Sequence, residues 1–337
     1  MSCFGIFFSS FIHKNAGRGE IFMNKKERVL WIDVARGIAI LLVVLGHCIG
    51  NLYNPGNRFI LAFHMPLFFF LSGMCISESV ISANNYLVKK VKTLLVPQAV
   101  LGILNFILNR GGVNDFLTWF LIVLFYVSIL FYFLQRMQVF DSGLGKVLVL
   151  ILDLGLIIGM KCLNVTTLLH LEIIPMAFLF YYLGYCINHY DGKVASNKNS
   201  CWIFLGPVVV AISAVNTPVS MYENNYGNII LFLAGAISGI VFVCELSKCL
   251  EKNVLLGWYG RNSIIVYVLH FSMIKTLHFV GGRVFPQIAQ SNYLYPFNWY
   301  YFMATALLMV LAILFCNRFI PFLFGKGKVK NIICAKN

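Results

Sequence analysis

The first long apolar segment of the chain, residues 29–50, contains three ionisable side chains, Asp33, Arg36 and His47. It is long enough for an α-helix to cross a bilayer. At about 100° per residue, the spacing from Arg36 to His47 returns almost to one helix face, which Asp33 shares one turn earlier. Because an Asp or Arg at mid-bilayer costs roughly 2.5 to 3.5 kcal/mol, we expect this stripe to face a protein-lined cavity.

Composition indicates a membrane protein throughout. Of 337 residues, 60% are hydrophobic and 11% are charged, whereas soluble domains carry about 25% charged residues. Apolar runs predict an all-α, polytopic protein with about ten transmembrane helices. The predicted spans are residues 29–50, 59–75, 93–108, 116–134, 147–160, 168–187, 201–215, 227–244, 263–280 and 300–319.

The basic residues are unevenly distributed between the predicted loops. There are 26 Lys and Arg against 12 Asp and Glu, and most of the basic residues fall on the side of the amino terminus. The positive-inside rule then puts both termini in the cytoplasm and the protein in the cytoplasmic membrane. Since the positive charge reports topology, we expect the lipid bilayer, and no nucleic acid, as its surroundings.

The sequence predicts one membrane domain, residues 23–325. Residues 1–22 are predicted to be an extension with little structure, because their short apolar stretch cannot span a membrane and Met23 opens a typical cytoplasmic start, MNKKERVLWID. Residues 326–337 form a basic cytoplasmic tail. The ten cysteines include no CxxC pair, so we predict neither a metal site nor a disulfide.

Two histidines are predicted close to the external surface. His47 lies about 27 Å along its helix, and His64 descends the next span toward the same level. An imidazole there suits a general base, since it titrates near neutrality. The alternatives are that His47 closes its helix through a carbonyl, and that His64 satisfies a carbonyl freed by Pro66. Ser72 and Gly73, lower on this span, allow close packing between helix backbones.

Three lysines, Lys89, Lys90 and Lys92, lie where the third span begins. Cations at this position usually anchor a helix on the cytoplasmic side. They equally suit the phosphates of a nucleotide-bearing donor that arrives from the cytoplasm.

His64, Ser72 and four further polar residues are candidates for binding an acceptor. Trp119 can stack on a sugar or belong to the interfacial aromatic belt. His170 and Glu172 begin the sixth span from outside, where acceptor binding and a solvated helix start explain them equally well. On the ninth span, we expect His270 to reach the interior of the protein.

Five segments, in family order, resemble the acyltransferase-3 family of integral membrane O-acyltransferases, in particular its fucose 4-O-acetylase-like branch. They are RVLWIDVARGIAILLVVLGHC, FHMPLFFFLSG, KKVKTLLVP, WFLIVLF and YGRNSIIVYVLH. The resemblance runs from about Arg28 to the last span. Its most specific element is an Arg and a His separated by ten residues in the first helix, here Arg36 and His47.

This resemblance implies a ten-helix core that transfers an acyl group, commonly acetyl, from cytoplasmic acyl-CoA to a hydroxyl of a cell-surface or lipid-linked glycan. His47 is then the catalytic histidine and Arg36 its partner, with Asp33 expected to pair with Arg36. Where the family often has RxxR to hold CoA, this chain has Lys89 and Lys92, which keep the charge but lose the bidentate geometry of Arg. We expect direct transfer within a ternary complex.

A secondary transporter or a sugar-lipid flippase is the alternative function. The intramembrane Asp33, Arg36 and His47 suit a proton relay as well as an acyl transfer. The chain nevertheless shows no repeated halves with matching broken helices, a feature of many transporters.

Overall fold

A computed structural model describes residues 29–76, 82–108, 119–163, 166–167, 169–190, 200–284 and 295–326. Within these residues the protein is helical and has no strand, apart from one isolated bridge between Ser220 and Asn225. The predicted extension, residues 1–22, and the tail beyond residue 326 lie outside the described residues. The α-helices are α1 (Leu30–Ile49), α2 (Pro55–Leu61), α3 (His64–Met74), α4 (Ala83–Lys90), α5 (Val96–Leu108), α6 (Trp119–Arg136), α7 (Gly143–Cys162), α8 (Ile174–Tyr190), α9 (Leu205–Val215), α10 (Ile229–Cys249), α11 (Val254–Arg261), α12 (Ser263–Val284) and α13 (Tyr295–Phe319).

Seven helices of the described chain are long and apolar enough to cross a membrane, which supports a multi-pass membrane protein. Helix α7 is longer than the predicted span 147–160, whereas the predicted spans 93–108 and 201–215 correspond to the shorter α5 and α9. Ten crossings and cytoplasmic termini stay predictions. The seven are Leu30–Ile49, Trp119–Arg136, Gly143–Cys162, Leu171–Asn188, Ile229–Cys249, Ser263–Gly281 and Trp299–Phe319.

The second predicted span, residues 59–75, is divided between α2 and α3. Phe63, at φ −144° and ψ −15°, separates the two helices. Pro66 falls in the first turn of α3, where its missing amide hydrogen breaks no helical hydrogen bond. His64 Nδ1 donates to the carbonyl of Ile60 at 2.9 Å, which satisfies one acceptor at the end of α2. This carbonyl is not one freed by Pro66 and also accepts from the amide of Phe63, so the roles predicted for His64 stay predictions.

Helices α3 and α8 approach so closely that only glycine fits between their backbones. A Cβ added at Gly73 would overlap the backbone carbonyl of Tyr181, and a Cβ added at Gly184 would overlap that of Phe70. The close packing predicted at Gly73 is confirmed. Small residues allow such contacts in membranes, where van der Waals packing replaces the hydrophobic effect between helices.

Helices α1 and α11 form a second close pair. A Cβ at Gly37 would overlap the carbonyl of Leu256, and a Cβ at Gly260 would overlap that of Asp33. This contact fixes α11 beside the amino-terminal half of α1. Arg261, at the end of α11, therefore lies close to Asp33 of α1.

We predict that Gly73→Ala and Gly184→Ala each destabilise the protein by about 1 to 3 kcal/mol, because the added methyl group forces α3 and α8 apart. The measurement is unfolding of the detergent-solubilised protein. Gly155→Ala and Gly159→Ala on α7 are matched controls, since nothing lies within 4 Å of a Cβ at either position. Equal destabilisation by both pairs of substitutions would contradict this account.

Candidate active site

A cavity of about 680 Å³ lies between α1, α3, α4, α6, α11 and α12. Its described lining contains five cationic side chains and no acidic one. Cations gathered in a cavity with low-dielectric walls focus a positive potential, which attracts anions. The five are Arg36, Lys89, Lys90, Arg136 and Arg261.

Arg36 enters the cavity as a half-buried cation without a carboxylate at ion-pair distance among the described residues. Asp33, which was expected to pair with Arg36, instead lies 3.9 Å from Arg261 Nη1, with its own side chain buried. The glycine contact of α11 with α1 explains this difference, because it brings Arg261 beside Asp33. The charge of Arg36 is thus available to a ligand.

Lys90 is held against the cavity wall by contacts with α6 and with its own helix. Its Nζ donates to Ser128 Oγ at 3.1 Å and lies 5.4 Å from the ring centre of Tyr86. Lys90 precedes α5 and lies outside the seven candidate spans. Burial, together with repulsion from Lys89 and Arg36, lowers the pKa of Lys90 to about 8. A bound anion would oppose this effect and keep the lysine charged.

The structure separates the three lysines that the sequence grouped together. Lys89 and Lys90 line the cavity, whereas Lys92 is exposed and does not. Tyr86, Lys89, Lys90, Thr93 and Leu94 line the cavity at the spacing of one helix face, and Lys92 falls outside that face. A π-helix, Val91–Leu95, joins α4 to α5. Pro97 follows it and has no amide hydrogen to offer the carbonyl of Thr93, which favours such an irregularity.

One face of helix α1 lines the cavity over two turns. Arg36, Ile40 and Val43 line it at successive turns. The next turn of the same face is His47, about 16 Å along the helix from Arg36. Arg36 therefore lies in the cavity wall, and His47 lies on the same helix face, one turn beyond the lining.

Two other helices repeat this arrangement. On α3, Ser72 and Phe68 line the cavity, and His64 lies one turn before Phe68 on the same helix. On α12 the lining residue Tyr267 precedes His270 by one turn. The three histidines do not line the cavity themselves, but each lies one turn beyond it on its own helix.

The three histidines are close neighbours. The ring centres of His47 and His270 are 5.1 Å apart, and His64 is close enough to interact electrostatically with His47. Phe271 packs edge-on against His47 at 5.8 Å. No group of three or more His, Cys, Asp or Glu side chains able to hold a metal ion occurs in the described part of the chain.

His270 is fully buried and its ring orientation is fixed. Its Nδ1 lies 3.0 Å from the carbonyl of Val266 and 2.8 Å from that of Tyr267. Because a carbonyl can only accept, Nδ1 carries the hydrogen. Nε2 has no hydrogen-bond partner among the described residues. A buried acceptor without a partner costs about 1 to 3 kcal/mol, so Nε2 is placed to accept a hydrogen bond from a ligand hydroxyl or a water molecule.

The remaining predicted residues lie in different places. Ser72 lines the cavity and donates its hydroxyl to the carbonyl of Phe68 at 2.7 Å. Trp119 is buried and does not line the cavity. Glu172 accepts from the amide and hydroxyl of Thr167 and lies 3.7 Å from His170 Nδ1, away from the cavity lining.

Sequence reasoning missed several lining residues. Arg136 was counted only as a topological charge, at the end of α6, and Arg261 only as part of the YGRN segment. Phe120 and Tyr267 look like ordinary apolar packing residues in sequence. Their convergence depends on contacts between distant helices, which single-helix periodicity does not report.

We predict that ADP binds to the purified protein more weakly as the pH rises from 7 to 9, by several-fold. The phosphates of ADP are already ionised in this range, whereas Lys90, with a pKa of about 8, loses its proton. Binding should take up protons near pH 8, measurable by calorimetry in two buffers. Lys90→Arg should remove the pH dependence and Lys92→Arg should leave it intact. A constant affinity across this range in the unsubstituted protein would contradict the role of Lys90.

Comparison with known proteins agrees with the resemblance seen in the motifs. No curated protein and no solved structure matches the chain. A model of the acyltransferase-3 family, described as an acyltransferase domain, matches residues 29–317. This match spans most of the chain and includes the cavity and the three histidines. The protein therefore belongs to the acyltransferase-3 family and is a membrane acyltransferase.

Proposed function

We propose that the protein is an O-acetyltransferase of the cytoplasmic membrane, which transfers an acyl group from cytoplasmic acyl-CoA to a hydroxyl of a cell-surface or lipid-linked glycan. We further propose ten crossings with both termini in the cytoplasm, as the loop charges indicate. One observation carries the proposal. The same cavity has five cations and no acid in its described lining, and three of its helices lead to neighbouring histidines.

The cationic residues suit the phosphates of acyl-CoA. Arg36 and Arg261 offer planar, multiple donors, and Lys89 and Lys90 offer point charges. On α6, Arg136 and Phe120 both line the cavity. These two residues are about 24 Å apart along that helix. The cavity is therefore elongated, as a donor with its phosphates at one end and its thioester at the other requires.

The histidines suit the chemistry of transfer. The acceptor oxygen attacks the thioester carbonyl, its proton passes to His47, a C–O bond forms, and the C–S bond breaks. The proton then goes to the departing thiolate, so that the products are an ester and CoA–SH. A thioester needs only a base, orientation and stabilisation of the oxyanion for this reaction, and a general base contributes about 10²- to 10⁴-fold.

His270 suits the role of a positioning residue for His47. Its Nδ1 hydrogen is held by two carbonyls, which leaves the unprotonated Nε2 as an acceptor. An acceptor fixed 5.1 Å, ring to ring, from His47 can orient either the His47 ring or the acceptor hydroxyl. His64, Ser72, Trp119, His170 and Glu172 stay predictions as acceptor-binding residues.

We predict that His47→Ala lowers transfer at least about 100-fold, because the proton acceptor is lost. The assay supplies acetyl-CoA with a labelled acetyl group to inside-out membrane vesicles and measures label bound covalently to glycan. His278→Ala is the matched control. His278 lies on α12 but stacks on Tyr301, with ring centres 3.8 Å apart, and does not line the cavity.

Full transfer by His47→Ala would exclude His47 as the base. The same vesicles distinguish the alternative function. A transporter or flippase would move a substrate across the membrane without attaching label to glycan, and that result would overturn the proposed acyl transfer.

We predict that Arg36→Ala raises the KM for acetyl-CoA about 10- to 100-fold, because a charge-assisted contact contributes about 1.5 to 3 kcal/mol. The measurement is the initial rate as a function of donor concentration in these vesicles. Arg283→Ala is the control, since Arg283 lies over Phe279 and outside the cavity lining. An unchanged KM in Arg36→Ala would remove Arg36 from donor binding.

A further inference from the structure

Three aromatic side chains lie between the cations and the histidines. They are Phe68 on α3, Phe120 on α6 and Tyr267 on α12, and all three line the cavity. The ring centres of Phe68 and Phe120 are 5.6 Å apart, and those of Phe120 and Tyr267 are 5.5 Å apart. We call these three residues the aromatic collar.

The position of the collar along the cavity follows from the helices that supply it. Phe68 lies one turn from His64, and the ring of Tyr267 lies 6.1 Å from that of His270. Phe120 lies in the first turn of α6, and Arg136 is the last residue of that helix. The collar therefore borders the histidines, at the end of the cavity opposite Lys89, Lys90 and Arg136. Val43, one turn below His47, lines the cavity on the opposing helix α1.

We propose that the aromatic collar limits the length of the acyl group that the protein accepts. This inference rests on the proposed function, because it assumes that the thioester lies between the cations and the histidines. An acyl group attached to that thioester occupies the space that the collar bounds. The ring of Phe120 contacts the rings of Phe68 and Tyr267, so a short acyl group fits below the collar, while a longer chain needs the rings to move.

The rings are poorly able to move. Phe68 and Phe120 are 9% and 6% exposed. Phe120 also contacts Phe69, with ring centres 5.1 Å apart, so displacing it would disturb a second layer of the core. Close-packed interiors resist such displacement. The collar therefore selects by size, and each transfer still converts one thioester and one hydroxyl into one ester and CoA–SH.

The chain offers a matched pair for testing this inference. Phe68 and Phe70 both lie on α3 and are both buried. Phe68 lines the cavity and Phe70 does not. Shortening either side chain removes the same atoms from the same region, but only one of the two changes enlarges the cavity.

The experiment compares acetyl-CoA, butyryl-CoA and octanoyl-CoA, each labelled in the acyl group. One arm measures transfer to glycan in inside-out vesicles, and the other measures equilibrium binding to the purified protein. We expect Phe68→Ala and Phe120→Leu to raise the rate and the affinity for octanoyl-CoA relative to acetyl-CoA by about tenfold or more, since a few methylene groups in an apolar pocket discriminate on this scale. Phe70→Ala should leave both ratios within about twofold of those of the unsubstituted protein.

Unchanged ratios in folded Phe68→Ala and Phe120→Leu, or an equal change in Phe70→Ala, would overturn the inference. If both collar variants fail to fold, Val43→Ala decides, because it enlarges the same end of the cavity by a smaller step and must shift the ratios in the same direction. Failure of the proposed function has a different signature. The unsubstituted protein would then transfer no acyl group from any donor, while the binding ratios would still report on the collar.

Discussion

The cost of placing a guanidinium in a hydrocarbon layer is the constraint on which this structure depends. Arg36 lies, with Asp33 and His47, within a largely apolar helix that is long enough to cross a membrane. Its side chain must therefore face protein or water and not lipid. The structure meets this demand with a cavity on the Arg36 side of α1. The orientation of α1 then determines which residues follow Arg36 on that helix face. Ile40 and Val43 line the cavity, and His47 lies one turn beyond them.

Close packing between helices elsewhere makes this cavity compatible with a stable membrane protein. The glycine contacts of α1 with α11 and of α3 with α8 bring backbones together beside the cavity. These contacts place Arg261 next to Asp33, and they fix the face of α3 that carries Ser72 and Phe68. Dense packing around an elongated space is what a transferase needs, because it holds both ends of a long donor in a fixed geometry.

The sequence predicted those features that lie within one helix and missed those that depend on several. Arg36 and His47 share a face because eleven residues make nearly three whole turns, and no tertiary contact is needed to see it. The same reasoning grouped Lys89 with Lys92, but the helix face that borders the cavity carries Lys89 and Lys90 and not Lys92. Hydropathy likewise treated residues 59–75 as one span, since an apolar run does not reveal the break at Phe63.

The charges show the same division between local and distant information. Arg136 and Arg261 carry no local signal that distinguishes them from residues that only anchor a helix end. They enter the site because α6 and α11 end beside the same cavity. The expected pair of Asp33 with Arg36 was inferred from one helix, and the neighbouring helix supplied a different partner, Arg261.

The most direct test of the central claim is the position of a bound donor. A cryo-electron microscopy structure with a thioether analogue of acetyl-CoA, which cannot transfer its acetyl group, would locate both ends of the molecule at once. This account predicts phosphates among Arg36, Lys89 and Lys90, and the acetyl end against the cation-facing side of the aromatic collar, with space for a hydroxyl within about 3 Å of His47. Density elsewhere in the protein, or an acetyl end that points toward the cations, would contradict it.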